Sequence, residues 1–446
     1  MKFAHALSLG LLIGGSPIAS LRAQSQPDYE LPPIEYSTRT PRDAFASLRS
    51  ELESGAWTLP GDERQMLQAL LDRLAVPTSS QVLVFSRTSL QRGRIRPERP
   101  RALYFSDSVY VGWVPGGLFE VAAIDPVLGP VFYSIDARPP GGGRPRVDRD
   151  PDCLRCHGGT FVRDIPGVFA RSVFPDATGE PLLRHGTQLV DDATPFSERW
   201  GGWYVTGYKG REPHRGNVLA SEAEGRLTFA PDPTRPDQLS GYFSTTPYLR
   251  PTSDIVALLV LEHQMTVQNC LTRAGLTTRR MIAYQHGLQK AFKEAVTDEP
   301  AYESVKSVMT NTVQDVVDHL LFRGAAPLPD GVVGHEEFRR ALAADAPRSA
   351  EGHALKDLHL EGRLFRFRCS YLIYSAAFRG LPDTLKVRVL DRLRTELQSK
   401  DPNGRYAYIP EEERQQIFSL LRQTHADARE CWKEPASIAG QTVARR

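Results

Sequence analysis

Cys153-Leu154-Arg155-Cys156-His157 places two thiols and one imidazole within five consecutive positions. Thiols can form thioethers with the vinyl groups of a porphyrin, and an imidazole can ligate its iron. The order Cys-x-x-Cys-His sets both sulfurs and one ring nitrogen around a single porphyrin edge and face. The expected chemistry is covalent attachment of one c-type haem, with Cys153 and Cys156 holding the macrocycle and His157 on the metal. A redox dithiol would instead sit at a helix start in a βαβ unit, and a zinc half-site would need a second Cys or His pair at finger-like spacing. Neither context is visible. The pentapeptide occurs once, so one haem is expected. A Pro/Gly loop precedes it and the next methionine is Met265, unlike the plan of a small class I cytochrome.

The sixth position on the iron decides between functions. A second strong protein ligand makes an electron carrier, whereas an open position makes a ligand binder or a catalyst. His214, in a segment without periodicity, is the first candidate for that ligand; His185, His263 and Met265 follow, each with an ordinary surface or core role as the alternative. Arg199-Trp200-Gly201-Gly202-Trp203 could wall a haem through Trp200 and Trp203, although aromatic packing in a strand accounts for the run nearly as well. Arg163, Arg184, Arg199 and Arg215 could pair with propionates or simply face solvent. Asp191, Asp192 and Glu198 are general bases only if the iron does chemistry, and an acidic turn is the simpler reading. No nucleophile elbow, phosphate loop, metalloprotease helix or EF-hand loop is present.

The elements that must position these residues read as α+β. Residues 24–40 are rich in Pro, Ser, Gln and Tyr and are expected to tether rather than pack. Two short helices follow, with Phe45, Leu48 and Leu52 on one face of the first and Met66, Leu67, Leu70, Leu71 and Leu74 in the second. From Gln81 to Ile135 five runs of branched and aromatic residues predict a small antiparallel sheet, followed by a loop over 138–150 that leads to the pentapeptide. The stretch from Gly158 to about Arg250 is irregular, as though folded around a ligand. The remainder is expected to be all helical: a helix capped at Thr252, Ser253 or Asp254 and ended by Gly275, then further helices over 279–296, 302–321 and beyond. The expected organisation is a signal peptide over 1–23, a linker over 24–40, a sheet and haem-binding region over 41–250, and a helical region over 251–446.

Apolar residues form 41% of the 446-residue chain and charged residues 24%, as in an ordinary globular protein. With 55 basic against 53 acidic residues the net charge is +2, which gives no basic face for a nucleic acid. Lys2, the apolar run Ala6 to Ile13 and small residues up to Ala23 predict export to the periplasm or beyond, with no transmembrane segment after cleavage. In an oxidising compartment two of Cys270, Cys369 and Cys431 could pair, with Cys369–Cys431 favoured. The implied function is electron transfer with a redox partner protein; the alternative is a haem enzyme or small-ligand sensor with an open sixth position.

Further runs carry a resemblance. They are Leu83 to Gln91, Pro100 to Phe105, Val109 to Trp113, Asp125-Pro126, Phe132-Tyr133, Arg199 to Gly207, Leu261 to Gln264 and Cys369 to Ser375. Together with the pentapeptide, over roughly residues 80 to 400, the chain resembles a family of exported bacterial proteins described only as containing a cytochrome c domain. The resemblance implies a periplasmic monohaem protein without an assigned substrate. It carries over Cys153, Cys156 and His157, and no other residue.

Overall fold

The computed structural model describes residues 26–140, 143–401 and 403–433, so the expected signal peptide lies outside the described residues. The α+β expectation holds: an antiparallel sheet occupies the N-terminal half and helices the C-terminal half. The five expected strands form as β1 (Val82–Val84), β2 (Arg101–Phe105), β3 (Val109–Trp113), β4 (Phe119–Asp125) and β5 (Gly129–Asp136). Two more complete the sheet, β6 (Arg146–Arg149) inside the expected loop and, after the separate ribbon of β7 (Ala170–Ser172) and β8 (Gln188–Val190), β9 (Trp203–Tyr204). The order is β6-β5-β4-β3-β2-β1-β9, antiparallel throughout, and β9 joins through Leu83↔Tyr204 and Val84↔Trp203. Beyond β9 the Asn217 amide accepts from Val205 N at 2.7 Å and donates to Val205 O at 2.9 Å, while its own N–H donates to Trp203 O.

Both faces of the sheet are covered. On one, Tyr104, Val111, Trp113, Val121 and Tyr133 pack with α1 (Ala46–Ser54) and α2 (Glu63–Arg73). Asp62 caps α2 by accepting from Gln65 N, and left-handed Gly55 ends α1, as a cap and a stop signal should. Residues 26–40, expected to tether, are part of this core: Tyr29, Ile34 and Tyr36 are buried, and the Tyr36 hydroxyl donates to Pro130 O at 2.7 Å. The apolar surface of these three side chains is what makes them pack, and no periodicity announces it because the segment is built of turns and one 3-10 turn.

The other face meets the chain's longest helix. α3 (Leu154–His157) holds the last four residues of the pentapeptide, and α4 runs unbroken from Ile255 to Phe292, capped by Asp254. Gly275, expected to end it, lies inside, and the last turn closes instead at left-handed Lys293. The first half of α4 is buried almost all round, against Phe105, Tyr110, Ile124 and Phe132 of the sheet and against α5 (Glu303–Leu320). Polar side chains fix its place: Gln264 Nε2 donates to Ser106 O at 2.7 Å and Gln268 Nε2 to Asp107 O at 2.8 Å, binding the turn between β2 and β3. α6 (Glu336–Ala344), α7 (Ala376–Arg379), α8 (Asp383–Leu397), α9 (Glu411–Thr424) and α10 (Ala426–Cys431) build outward from there, and among the described residues no helix is long and apolar enough to cross a membrane.

One turn ties sheet to helix closely enough to test. Asp125 Oδ1 accepts from Val127 N and Leu128 N, and Gly129 then takes φ +77° with Thr272 of α4 against it. A Cβ there would lie 2.3 Å from Thr272 Cγ2, so Gly129→Ala meets both backbone strain and overlap. The variant is expected to lose about 2–3 kcal/mol in urea unfolding; a loss under about 0.5 kcal/mol would mean that this corner is not tightly packed.

Candidate functional site

Asp150 accepts from Asp152 N and Pro151 opens a 3-10 turn, Pro151–Cys153, that continues into α3. Residues three and four apart on a helical turn share a side, so Cys153, Cys156 and His157 project together. Cys156 is exposed, Cys153 half-buried, and both are free thiols. Burial, with Asp150 and Glu120 adding to it, pushes the Cys153 thiol up to about 12.

His157 is held on three sides. Its ring lies 4.8 Å from that of Phe132 on β5 and 4.8 Å from that of Phe169, and its Nδ1 is 2.8 Å from Gly167 O. A carbonyl can only accept, so Nδ1 carries the proton and the Nε2 lone pair is left for a metal. Nε2 has no hydrogen-bond partner among the described residues. Burial pushes the imidazole down to about 4 against the opposing effect of the Gly167 carbonyl, which keeps it in the neutral form that a ligand needs. From Phe169 an aromatic step continues to Phe161, 5.5 Å away and 39% exposed, with the Arg171 guanidinium over its ring. Two thiols, a ligand-ready imidazole and an aromatic ledge beside them fit a c-type haem.

The other expected contacts are not gathered here. Arg199 and Trp200 turn to α4 instead: Arg199 Nη1 donates to Glu262 Oε2 and Trp200 Nε1 to Glu262 Oε1, each at 2.7 Å, and Arg199 also donates to Thr194 O and Asp192 O. Trp203 is buried and donates to Arg171 O at 2.8 Å. Gly201 and Gly202 are small because Val173 and Ser86 press on them, so the glycines serve protein packing and not a porphyrin. Arg184 pairs with Glu222, Arg215 lies over Phe174, and Arg163 occupies a left-handed turn.

The expected sixth ligands are engaged as well. His214 is buried among Phe196, Trp200 and Tyr208, and its Nδ1 accepts from Gly216 N at 3.0 Å. That bond puts the proton on Nε2, the opposite tautomer to His157 and the wrong one for ligation through that atom. His185 Nε2 pairs with Glu222 at 2.7 Å, and Met265 is buried on α4. In this arrangement the Nδ1 lone pair of His214 is turned to Gly216 N–H, and Nε2 carries a proton. The preferred Cys369–Cys431 pair is not met, since all five cysteines are free; Cys369 is fully buried in the core while Cys431 lies at its edge on α10.

His263 joins a chain that resembles a nucleophile system: Nδ1 lies 2.9 Å from Asp192 Oδ2 and Nε2 2.8 Å from Ser370 Oγ. Ser370, however, is completely buried and its hydroxyl also accepts from Leu372 N, so no substrate reaches it and the chain works as a tie between the Asp192 loop, α4 and the turn before α7. Cys270, Asp315 and His319 bring their ligand atoms within 4.8 Å of one another. Arg273 holds the Asp315 carboxylate at 2.6 Å and burial pushes the Cys270 thiol far up, so this cluster is already neutralised without a metal. Asp191 is exposed, and Glu198 closes a 3-10 turn.

Sequence reasoning missed Phe132, Phe169, Arg171 and Gly167 around the pentapeptide. Only the aromatic pair carried a signal of any kind, because a backbone carbonyl leaves no trace in residue type. No family model, no curated protein and no solved structure matches the chain.

Proposed function

We propose that the chain is an exported monohaem c-type protein acting in electron transfer, with the haem joined to Cys153 and Cys156 and His157 as its axial ligand. The observation that carries this reading is the His157 tautomer: Nδ1–H bound to Gly167 O and Nε2 free, on the same side of one turn as two free thiols. When bound, the haem supplies an iron that cycles between two oxidation states. The chain's own residues orient the ligand, through Gly167 and the Phe132 and Phe169 rings. They also exclude water from its buried edge and leave the Cys156 side open toward a redox partner. Arg171, which interacts electrostatically with Cys156, is one nearby cation suited to an acidic group of the haem.

A second reading, a haem enzyme or small-ligand sensor, has a specific observation in its favour: His214, His185 and His263 are each hydrogen-bonded elsewhere, and Met265 is buried in the core. Expression with a cytochrome assembly system should give red protein whose added mass of one haem survives denaturation. Colourless protein would sink both readings. Addition of carbon monoxide to the reduced protein then separates them, since an unchanged spectrum supports the carrier and a prompt shift supports the open site.

A further inference from the structure

Gly167, which fixes His157, is itself fixed from α4. Asn269 Oδ1 accepts from Val168 N at 2.9 Å and Nδ2 donates to Val168 O at 2.7 Å, so one side-chain amide occupies both backbone groups of that residue as a neighbouring strand would. Gly167 in turn makes two bonds to His157, its N–H donating to His157 O at 2.8 Å and its carbonyl accepting from Nδ1 at 2.8 Å. The fit is close. A Cβ on Gly167 would lie 2.9 Å from Asn269 Oδ1 and 2.9 Å from the Val162 side chain.

We infer that Asn269 is a positioning residue for the iron ligand: clamped on Val168, it aims the Gly167 carbonyl at His157 Nδ1 and so sets how strongly the imidazole donates electrons through Nε2. The inference rests on the haem reading above. An N–H donating to a fixed carbonyl makes the other ring nitrogen more basic, and a more basic ligand favours the oxidised metal. Removing the clamp loosens the carbonyl, weakens that donation and favours the reduced form. A side chain that only filled space at this helix position would change stability but neither the tautomer nor the redox balance.

The test uses full-length protein loaded with haem and two variants, Asn269→Leu, which removes both clamp bonds, and Gly167→Ala, which keeps the Asn269 side chain but crowds it and Val162 and so displaces the carbonyl. In each, the reduced-to-oxidised ratio at a fixed ambient potential is expected to rise about tenfold, equivalent to about 59 mV for one electron. Nitrogen NMR of the His157 ring in haem-free protein lacking both thiols gives an independent readout. There the Nδ1–H form should dominate, and Asn269→Leu should shift population toward Nε2–H. Should Asn269→Leu fail to fold, Gly167→Ala decides. Folded variants with an unchanged redox balance and an unchanged tautomer would overturn the inference. Wild-type protein that takes up no haem would defeat the haem reading, while the tautomer measurement would still decide the clamp.

Discussion

Replacing Cys153 and Cys156 together by alanine is expected to abolish haem retention after denaturation, a complete loss on a haem-stained gel and by intact mass. Covalent retention needs at least one thioether sulfur, and these two are the only cysteines on α3 or the turn that leads into it. Cys270 and Cys369 are buried in the core and Cys431 belongs to α10, so none of them substitutes. The fold should barely register the change: Cys156 is exposed and Cys153 half-buried, so urea stability of the haem-free forms should agree within about 1 kcal/mol. Each single alanine variant keeps one sulfur and should retain haem at reduced yield. His157→Ala should keep the covalent bonds and alter the absorption spectrum of the haem, because the iron loses its imidazole ligand. Equal staining of the double variant and the wild type would show that the pentapeptide is not the attachment site.

The largest effect on stability is expected at Glu262. The residue is 1% exposed, and its carboxylate accepts from Arg199 and Trp200 on separate oxygens, at the junction of α4 with the irregular segment after the pentapeptide. Glu262→Ala strands a buried guanidinium and an indole N–H and should cost about 3–5 kcal/mol at pH 8 in urea unfolding. The same group gives stability a pH dependence. Burial pushes the carboxyl from its ordinary 4.5 up to about 7, with the Arg199 guanidinium pulling the other way. A raised folded value means that the folded chain holds the proton more tightly than the unfolded one. The contribution is therefore fully present below pH 4.5 and is lost as pH rises through about 7. Glu262→Gln should flatten this decline. A decline of the same size in that variant would place its origin in another group.

The strands were legible because both faces of the sheet are covered, so they read as continuous branched and aromatic runs instead of alternating ones. The two missed strands of this sheet lacked that mark: Arg146-Val147-Asp148-Arg149 is a polar edge, and β9 has only two residues. Gly275 read as a helix stop because glycine is a poor helix former, yet Arg279 lies where its Cβ would be and Leu381 packs beside it, and such packing outweighs a propensity difference of about 1 kcal/mol. The irregular middle suggested a ligand as its organiser. Much of its order comes instead from side chains bonded to the backbone, Asn217, Asn269 and Arg199 among them, a kind of bond that has no period. At the candidate site the pentapeptide was plain, whereas Arg199, Trp200 and His214 were drawn in by residue type alone. Which pocket an arginine or a histidine faces depends on partners such as Glu262 and Gly216, far off in the sequence or contributed by the main chain.

The Asn217 amide beyond β9 has a consequence for the behaviour of the chain at high concentration. A sheet that ends in bare N–H and C=O groups is a template on which other molecules can stack. Here the outermost groups of Trp203 and Val205 are already taken by Asn217, and at the opposite margin Arg149 donates to the carbonyls of Ser37 and Arg39 while Arg146 and Asp148 add charge. Neither margin of the seven-stranded sheet is an open template for fibre growth for as long as Asn217 and Arg149 keep their places.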